Sequence, residues 1–181
     1  MTDIDLERIL SGGKNLVRTG WMQRGVPPSV GETVAQHSWE AGILAYYISK
    51  KLKEKGVNVS PEKAVTIAVF HDIGETLLGD LPKWATDRLP QKEEIEKEAI
   101  KQLGLGEELF EEYKNMSLEG QIAKLSEMLA TYLQAKRYLR QGYDVKEIME
   151  TYFSVLQEMK RRSPFNLIEN QIDFLINDLI K

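Results

Sequence analysis

Two histidines are all that this 181-residue chain contains, and one sits in FHDIGETLLGDLP, residues 70 to 82. Asp72 is beside it, with Glu75 and Asp80 close behind. Neutral imidazole is the commonest nitrogen donor to divalent transition metals, and carboxylates complete a mixed nitrogen and oxygen shell. Carboxyl groups whose pKa values are pushed apart can also divide the two halves of acid-base catalysis. The other histidine, His37, follows ETVAQ at the start of an apolar helical pattern. His37, His71 and Asp72 are therefore candidates to converge on one ion, with a fourth ligand drawn from another helix. Plain alternatives stand beside each: a hydrogen-bonded core or surface histidine, a solvated Glu75, an Asp80 that holds a turn through its side chain. Joint placement favours the chemistry, because unpaired charge is costly inside an apolar helix.

The elements that must position these groups read as helices. Val34, Trp39, Ile43, Leu44, Tyr47, Ile48 and Leu52 recur at three- and four-residue steps and predict a helix from Val34 to Lys53 carrying His37. Ser60-Pro61, an N-cap with proline at the first helical position, opens the next helix, which is expected to run into His71. On that helix His71 and Glu75 share a face, and Asp72 is turned by about 100°. Gly79 and Pro82 bracket a turn. Further helices are expected from Pro90 to Gly104, Glu107 to Tyr113, Ser117 to Arg140, Asp144 to Arg161 and Phe165 to Ile180, with the last break at Ser163-Pro164. No segment alternates as a strand does. The expected fold is one all-α domain over residues 1–181, a bundle of about seven to nine helices. Its metal-site core lies over residues 15–144, with the helices of 145–181 packed on it.

Composition narrows the function. The chain has no cysteine, which removes disulfides, thiolate metal sites and cysteine nucleophiles. Its N-terminal segment carries acidic residues and no long apolar run, so neither a signal peptide nor a membrane span is expected, and a cytoplasmic protein is. A net charge of −4 with both signs interspersed gives no footprint for a nucleic acid polymer. A small anion gripped by one or two arginines is compatible with it.

His37, His71-Asp72, Glu75 and Gly79-Asp80-Leu81-Pro82 together resemble the HD-domain metal-dependent phosphohydrolases. RTGW at 18–21, RG at 24–25, ETVAQHS at 32–38, HDIGETLLGDLP at 71–82 and KLSEMLATYLQAKRY at 124–138 resemble more closely the subgroup of 5′-deoxynucleotidases, over Asn15 to Asp144. The resemblance implies hydrolysis of nucleoside 5′-monophosphates, with deoxyribonucleotides favoured. It implies one divalent ion (Mn, Co, Fe, Ni, Zn or Mg) on His37, His71, Asp72 and Glu127. Glu127 departs from the family, since it stands where K-x-x-D-x-L has an aspartate and so adds one methylene of reach. Asp80 is assigned to the attacking water and Glu75 to the leaving oxygen. Arg18 and Arg24 fall in the segment where related enzymes have a phosphate-binding arginine, and Trp21 where a tryptophan opposes a 2′-hydroxyl, although Thr19-Gly20 shifts that spacing. Trp21 as core packing is the alternative. Lys83 is placed at the pocket rim. The resemblance implies a homodimer, as is common among related proteins, and Phe153, Leu156, Phe165, Leu175 and Ile176 supply either core or interface. The same site residues also fit an HD enzyme of nucleoside triphosphates, cyclic nucleotides or alarmones, and Glu127 keeps open a non-catalytic nucleotide- or metal-binding module.

Overall fold

The computed structural model describes residues 4–180 and is helical throughout, with no named strand among those residues. The longer helices are α1 (Leu6–Asn15), α3 (Val34–Glu54), α4 (Pro61–Phe70), α7 (Lys92–Leu103), α8 (Glu107–Lys114), α9 (Leu118–Arg140), α10 (Lys146–Met159) and α11 (Glu169–Asn177). Three single turns of four residues each join them: α2 (Thr19–Met22), α5 (Glu75–Leu78) and α6 (Lys83–Thr86). With these turns the count exceeds the expected seven to nine.

The starts of the helices follow local chemistry. Thr33 caps α3 with a reciprocal capping box: its hydroxyl accepts from the Gln36 N–H, and the Gln36 side chain accepts from the Thr33 N–H. Ser60 caps α4 ahead of Pro61, and Ser117 caps α9 through the Gly120 N–H. Helices α3, α4 and α9 pack on one another around a fully buried centre of Ile48, Leu52, Ile67, Ile122, Leu125, Leu129 and Leu133. Burial of this many large aliphatic side chains is the main term holding the bundle together. Leu156, Phe165, Leu175 and Ile176 join the same core, so these C-terminal residues are interior, while Phe153 stays 40% exposed.

Three features depart from the sequence reading. Helix α1, over residues with two adjacent glycines, has no counterpart in the expectations. Gly12 is needed there, because a Cβ would come within 2.8 Å of the Thr76 side chain, so α1 lies directly against α5. The Pro61 helix does not continue through the histidine motif; it ends at Phe70, and residues 71 to 74 form tight turns before α5. His71 Nδ1 lies 2.6 Å from the Ala68 carbonyl, the group that the Asp72 N–H would use to continue the helix, and the turn closes instead through the Ile73 N–H to Phe70 and the Glu75 N–H to Asp72. Trp39 and Ile43 of α3 are not core: they are 69% and 57% exposed.

Candidate active site

The N-terminal turns of α3, the C-terminal end of α4 and the middle of α9 meet at the two histidines. His37 is fully buried and His71 nearly so, with their rings 5.3 Å apart. Asp72 Oδ2 lies 2.9 Å from His71 Nε2 and 4.0 Å from His37 Nε2. One donor atom from each of the three residues falls within 4.8 Å of the others. His37, His71 and Asp72 thus form a compact cluster of two nitrogens and one carboxylate.

The donors suit a divalent ion. His71 Nδ1 donates to the Ala68 carbonyl and Nε2 faces Asp72 Oδ2 at 2.9 Å; burial opposes charge on the ring, but the Asp72 carboxylate outweighs it and raises the His71 pKa, so an ion here would take the place of the Nε2 proton. His37 Nε2 is buried without a hydrogen-bond partner. Its tautomer depends on Arg18, whose Nη1 has two hydrogens for three neighbours: Thr131 Oγ1 at 3.1 Å, His37 Nδ1 at 3.2 Å and Glu32 Oε2 at 3.3 Å. A guanidinium only donates, so His37 Nδ1 presents its lone pair to Arg18 and the neutral ring carries its proton on the orphaned Nε2, where an ion would displace it. Burial and the Arg18 charge hold the His37 imidazole well below its ordinary pKa, which keeps it neutral. Burial opposes the charge of Asp72, yet the adjoining His71 and the Arg18 charge keep its carboxyl well below the usual range. A neutral imidazole and an ionised carboxylate are the forms that bind metal.

Glu75 opens α5 just past the cluster. Its Oε2 is buried and unpartnered, and burial, reinforced by the Asp72 and Asp80 charges, pushes its carboxyl up to about 10. Asp80 sits after Gly79, whose φ of 86° turns the chain. The Thr19 N–H donates to Asp80 Oδ2 and the Thr19 hydroxyl donates to the Asp80 carbonyl, tying this loop to the residue after Arg18.

The other expected residues divide. Arg18 belongs to the site, in direct contact with His37. Trp21 is 2% exposed, packs edge-on against Tyr138 with ring centroids 5.2 Å apart, and donates from Nε1 to Glu32 Oε2. It is core that orients the carboxylate paired with Arg18. Arg24 pairs with Glu147, and Lys83 with Asp87 on exposed surface. Glu127 is buried at the edge of the site but is not among the clustered donors; Lys124 Nζ lies 2.6 Å from its Oε1. The sequence reading passed over Glu32, Lys124, Tyr113 and Thr131. Lys124 and Thr131 had a signal, since each lies a turn from Glu127 on one helix; Glu32 and Tyr113 had none.

This fold and this pair of histidines with an adjacent aspartate define a class, and residues 12–164 match the family model described as HD domain. The chain belongs to that family. Among named relatives, 5′-deoxynucleotidase HDDC2 of Dictyostelium discoideum is 28% identical over 74% of this chain and 75% of its own length. The bovine protein of that name is 31% identical over 72% of this chain and 65% of its own, and 5′-deoxynucleotidase YfbR of Escherichia coli is 26% identical over 72% of each. Among solved structures, a conserved hypothetical protein of Pyrococcus furiosus superposes with a TM-score of 0.83 at 34% identity, covering 94% of this chain and 97% of its own. The chain is thus an HD-domain phosphohydrolase similar to the 5′-deoxynucleotidases.

Proposed function

We propose that the chain hydrolyses nucleoside 5′-monophosphates, with deoxyribonucleotides preferred, to nucleoside and inorganic phosphate. The observation that carries this reading is the buried His37, His71, Asp72 cluster with its orphaned nitrogen, set beside a protonated Glu75 and a largely buried arginine. His37, His71 and Asp72 would hold the ion. When bound, a divalent ion supplies positive charge that polarises the phosphoryl group and acidifies a water.

The chain's own groups account for the remaining steps. Arg18 offers a guanidinium fork to the phosphate oxygens, held ready by Glu32 and Thr131. Asp80, anchored by Thr19, orients the attacking water and accepts its proton as the new P–O bond forms. Glu75, kept protonated by its surroundings, donates its proton to the 5′-oxygen as the old P–O bond breaks. The Asp80 proton and the Glu75 vacancy then exchange with solvent, which restores both groups.

Phosphate release from a panel of nucleoside mono-, di- and triphosphates, cyclic nucleotides and alarmones in Mn²⁺ or Co²⁺ tests the proposal. Release from 5′-monophosphates, fastest with the deoxy forms, is expected. Pyrophosphate or triphosphate as product would move the chain to another HD activity. The reading includes a cytoplasmic enzyme acting as a homodimer. No helix among the described residues is long and apolar enough to cross a membrane. Support for a second copy comes from α3, where Gln36, Trp39, Ile43, Tyr46 and Lys50 form an exposed row at alternating three- and four-residue steps, the spacing of a helix-pairing seam.

A further inference from the structure

Lys124 and Glu127 lie three residues apart on one face of α9, with the tip of Tyr113 from α8 between them. The three side chains close a triangle. Lys124 Nζ is 2.6 Å from Glu127 Oε1 and donates to the Tyr113 oxygen at 3.1 Å, and the Tyr113 hydroxyl donates to the same Oε1 at 3.3 Å. Glu127 is 7% exposed, and its carboxylate is the only anion paired with Lys124 among the described residues. The Tyr113 ring is tilted against His71 with centroids 5.6 Å apart, so the triangle borders the cluster.

Two physical arguments separate Glu127 from the ion. Its Oε1 accepts from an ammonium and a phenol, and neither of its oxygens joins the donor atoms that lie within 4.8 Å of one another, so bringing the carboxylate to the ion would draw it away from a largely buried ammonium. Reach is the second. An aspartate at this position would be one methylene shorter, and the longer glutamate is what spans to Lys124 and Tyr113. Resting on the metal site proposed above, we propose that Glu127 is the counter-ion that locks Lys124 and not a ligand, so that this chain grips its ion through two imidazoles and one carboxylate alone. The ion then keeps one more open position than a four-ligand site would leave, in a set of the two-histidine, one-carboxylate type.

The test titrates the purified full chain with Mn²⁺ by calorimetry and with Co²⁺ by visible absorption, which reports the ligand set directly. Glu127→Gln should bind Mn²⁺ within about threefold of wild type, with an unchanged Co²⁺ spectrum. Asp72→Asn should bind it at least about a hundredfold more weakly. Lys124→Met frees the carboxylate and should tighten Mn²⁺ by about tenfold with a shifted Co²⁺ spectrum, a gain that Lys124→Met/Glu127→Gln loses. Loss of Mn²⁺ affinity in Glu127→Gln equal to that in Asp72→Asn, with an altered spectrum, would make Glu127 a fourth ligand and overturn the proposal. The near-isosteric Gln variant decides this even if Lys124→Met fails to fold. A wild-type chain that takes up neither metal overturns the metal site itself, a result distinct from a four-ligand outcome.

Discussion

His71, Asp72 and Glu75 occupy five residues of sequence but three different electrostatic situations, and each leads to its own measurement. Removing a member of the cluster, as in His71→Ala or Asp72→Asn, is expected to abolish metal-supported phosphate release while the circular dichroism spectrum stays helical; retained turnover would take the cluster out of the chemistry. Glu75→Gln removes the proposed acid and should lower kcat by about a hundredfold to ten-thousandfold. The same substitution has a second readout in metal-free protein. A carboxyl whose folded pKa is raised, from 4.5 to about 10, stabilises the fold fully below the lower value and loses that contribution as pH climbs towards the upper one. Metal-free wild type should therefore melt at progressively lower temperature across that range, and Glu75→Gln should flatten the decline and be the more heat-stable protein at alkaline pH. Parallel melting curves for the two would rule out Glu75 as the source. At this scale the sequence was informative where two rare residues and an acidic neighbour stood together; it could not show that Trp21 hydrogen-bonds Glu32 in the core or that Lys124 occupies Glu127.

Elements deliver these groups through close contacts between short turns and long helices. Helix α1 touches α5 at Gly12 and Thr76, one residue beyond Glu75, so crowding there is transmitted to the proposed acid. Gly12→Ala should cost about 1–3 kcal/mol of stability, measured by chemical denaturation, because Thr76 must move away from the new methyl group. A cost below that range would mean α1 is free to shift. Tyr138 makes a comparable link from α9: its hydroxyl accepts from the Glu32 N–H at 2.7 Å and donates to the Val30 carbonyl at 3.1 Å. Tyr138→Phe leaves both backbone groups short of a partner, with an expected loss of about 1–3 kcal/mol. Periodicity revealed α3 and α9 almost to the residue, and the start of α4, because long amphipathic segments carry many repeats of the signal. It hid α1, whose paired glycines oppose helix propensity and are tolerated for the contact they allow. The early stop of α4 was hidden too, since the competition of His71 for the Ala68 carbonyl is a side-chain event.

Among the described residues, one large core joins α3, α4 and α9 to the C-terminal helices, and the C-terminal residues that sequence left between core and interface are mostly inside it. The proposed homodimer would use the exposed row of α3 that carries Trp39, Ile43 and Tyr46. Trp39→Glu should convert a dimer to a monomer in sedimentation equilibrium with the helical content kept, and an unchanged mass would move any interface elsewhere. The sequence by itself determined the all-α class, the family and the pairing of His37 with His71-Asp72, because apolar periodicity and a scarce ligand type are properties of the chain written in order. Tertiary structure decided which carboxylates stand where: Glu75 with a buried, unpartnered oxygen and a raised pKa, Asp80 tied to Thr19, Glu127 turned to Lys124. The reason is that a carboxylate's role depends on the charges and donors within a few ångströms of it, and the fold supplies them: Asp72 and Asp80 around Glu75, Thr19 of α2 on Asp80, and Tyr113 of α8 beside Lys124 on Glu127.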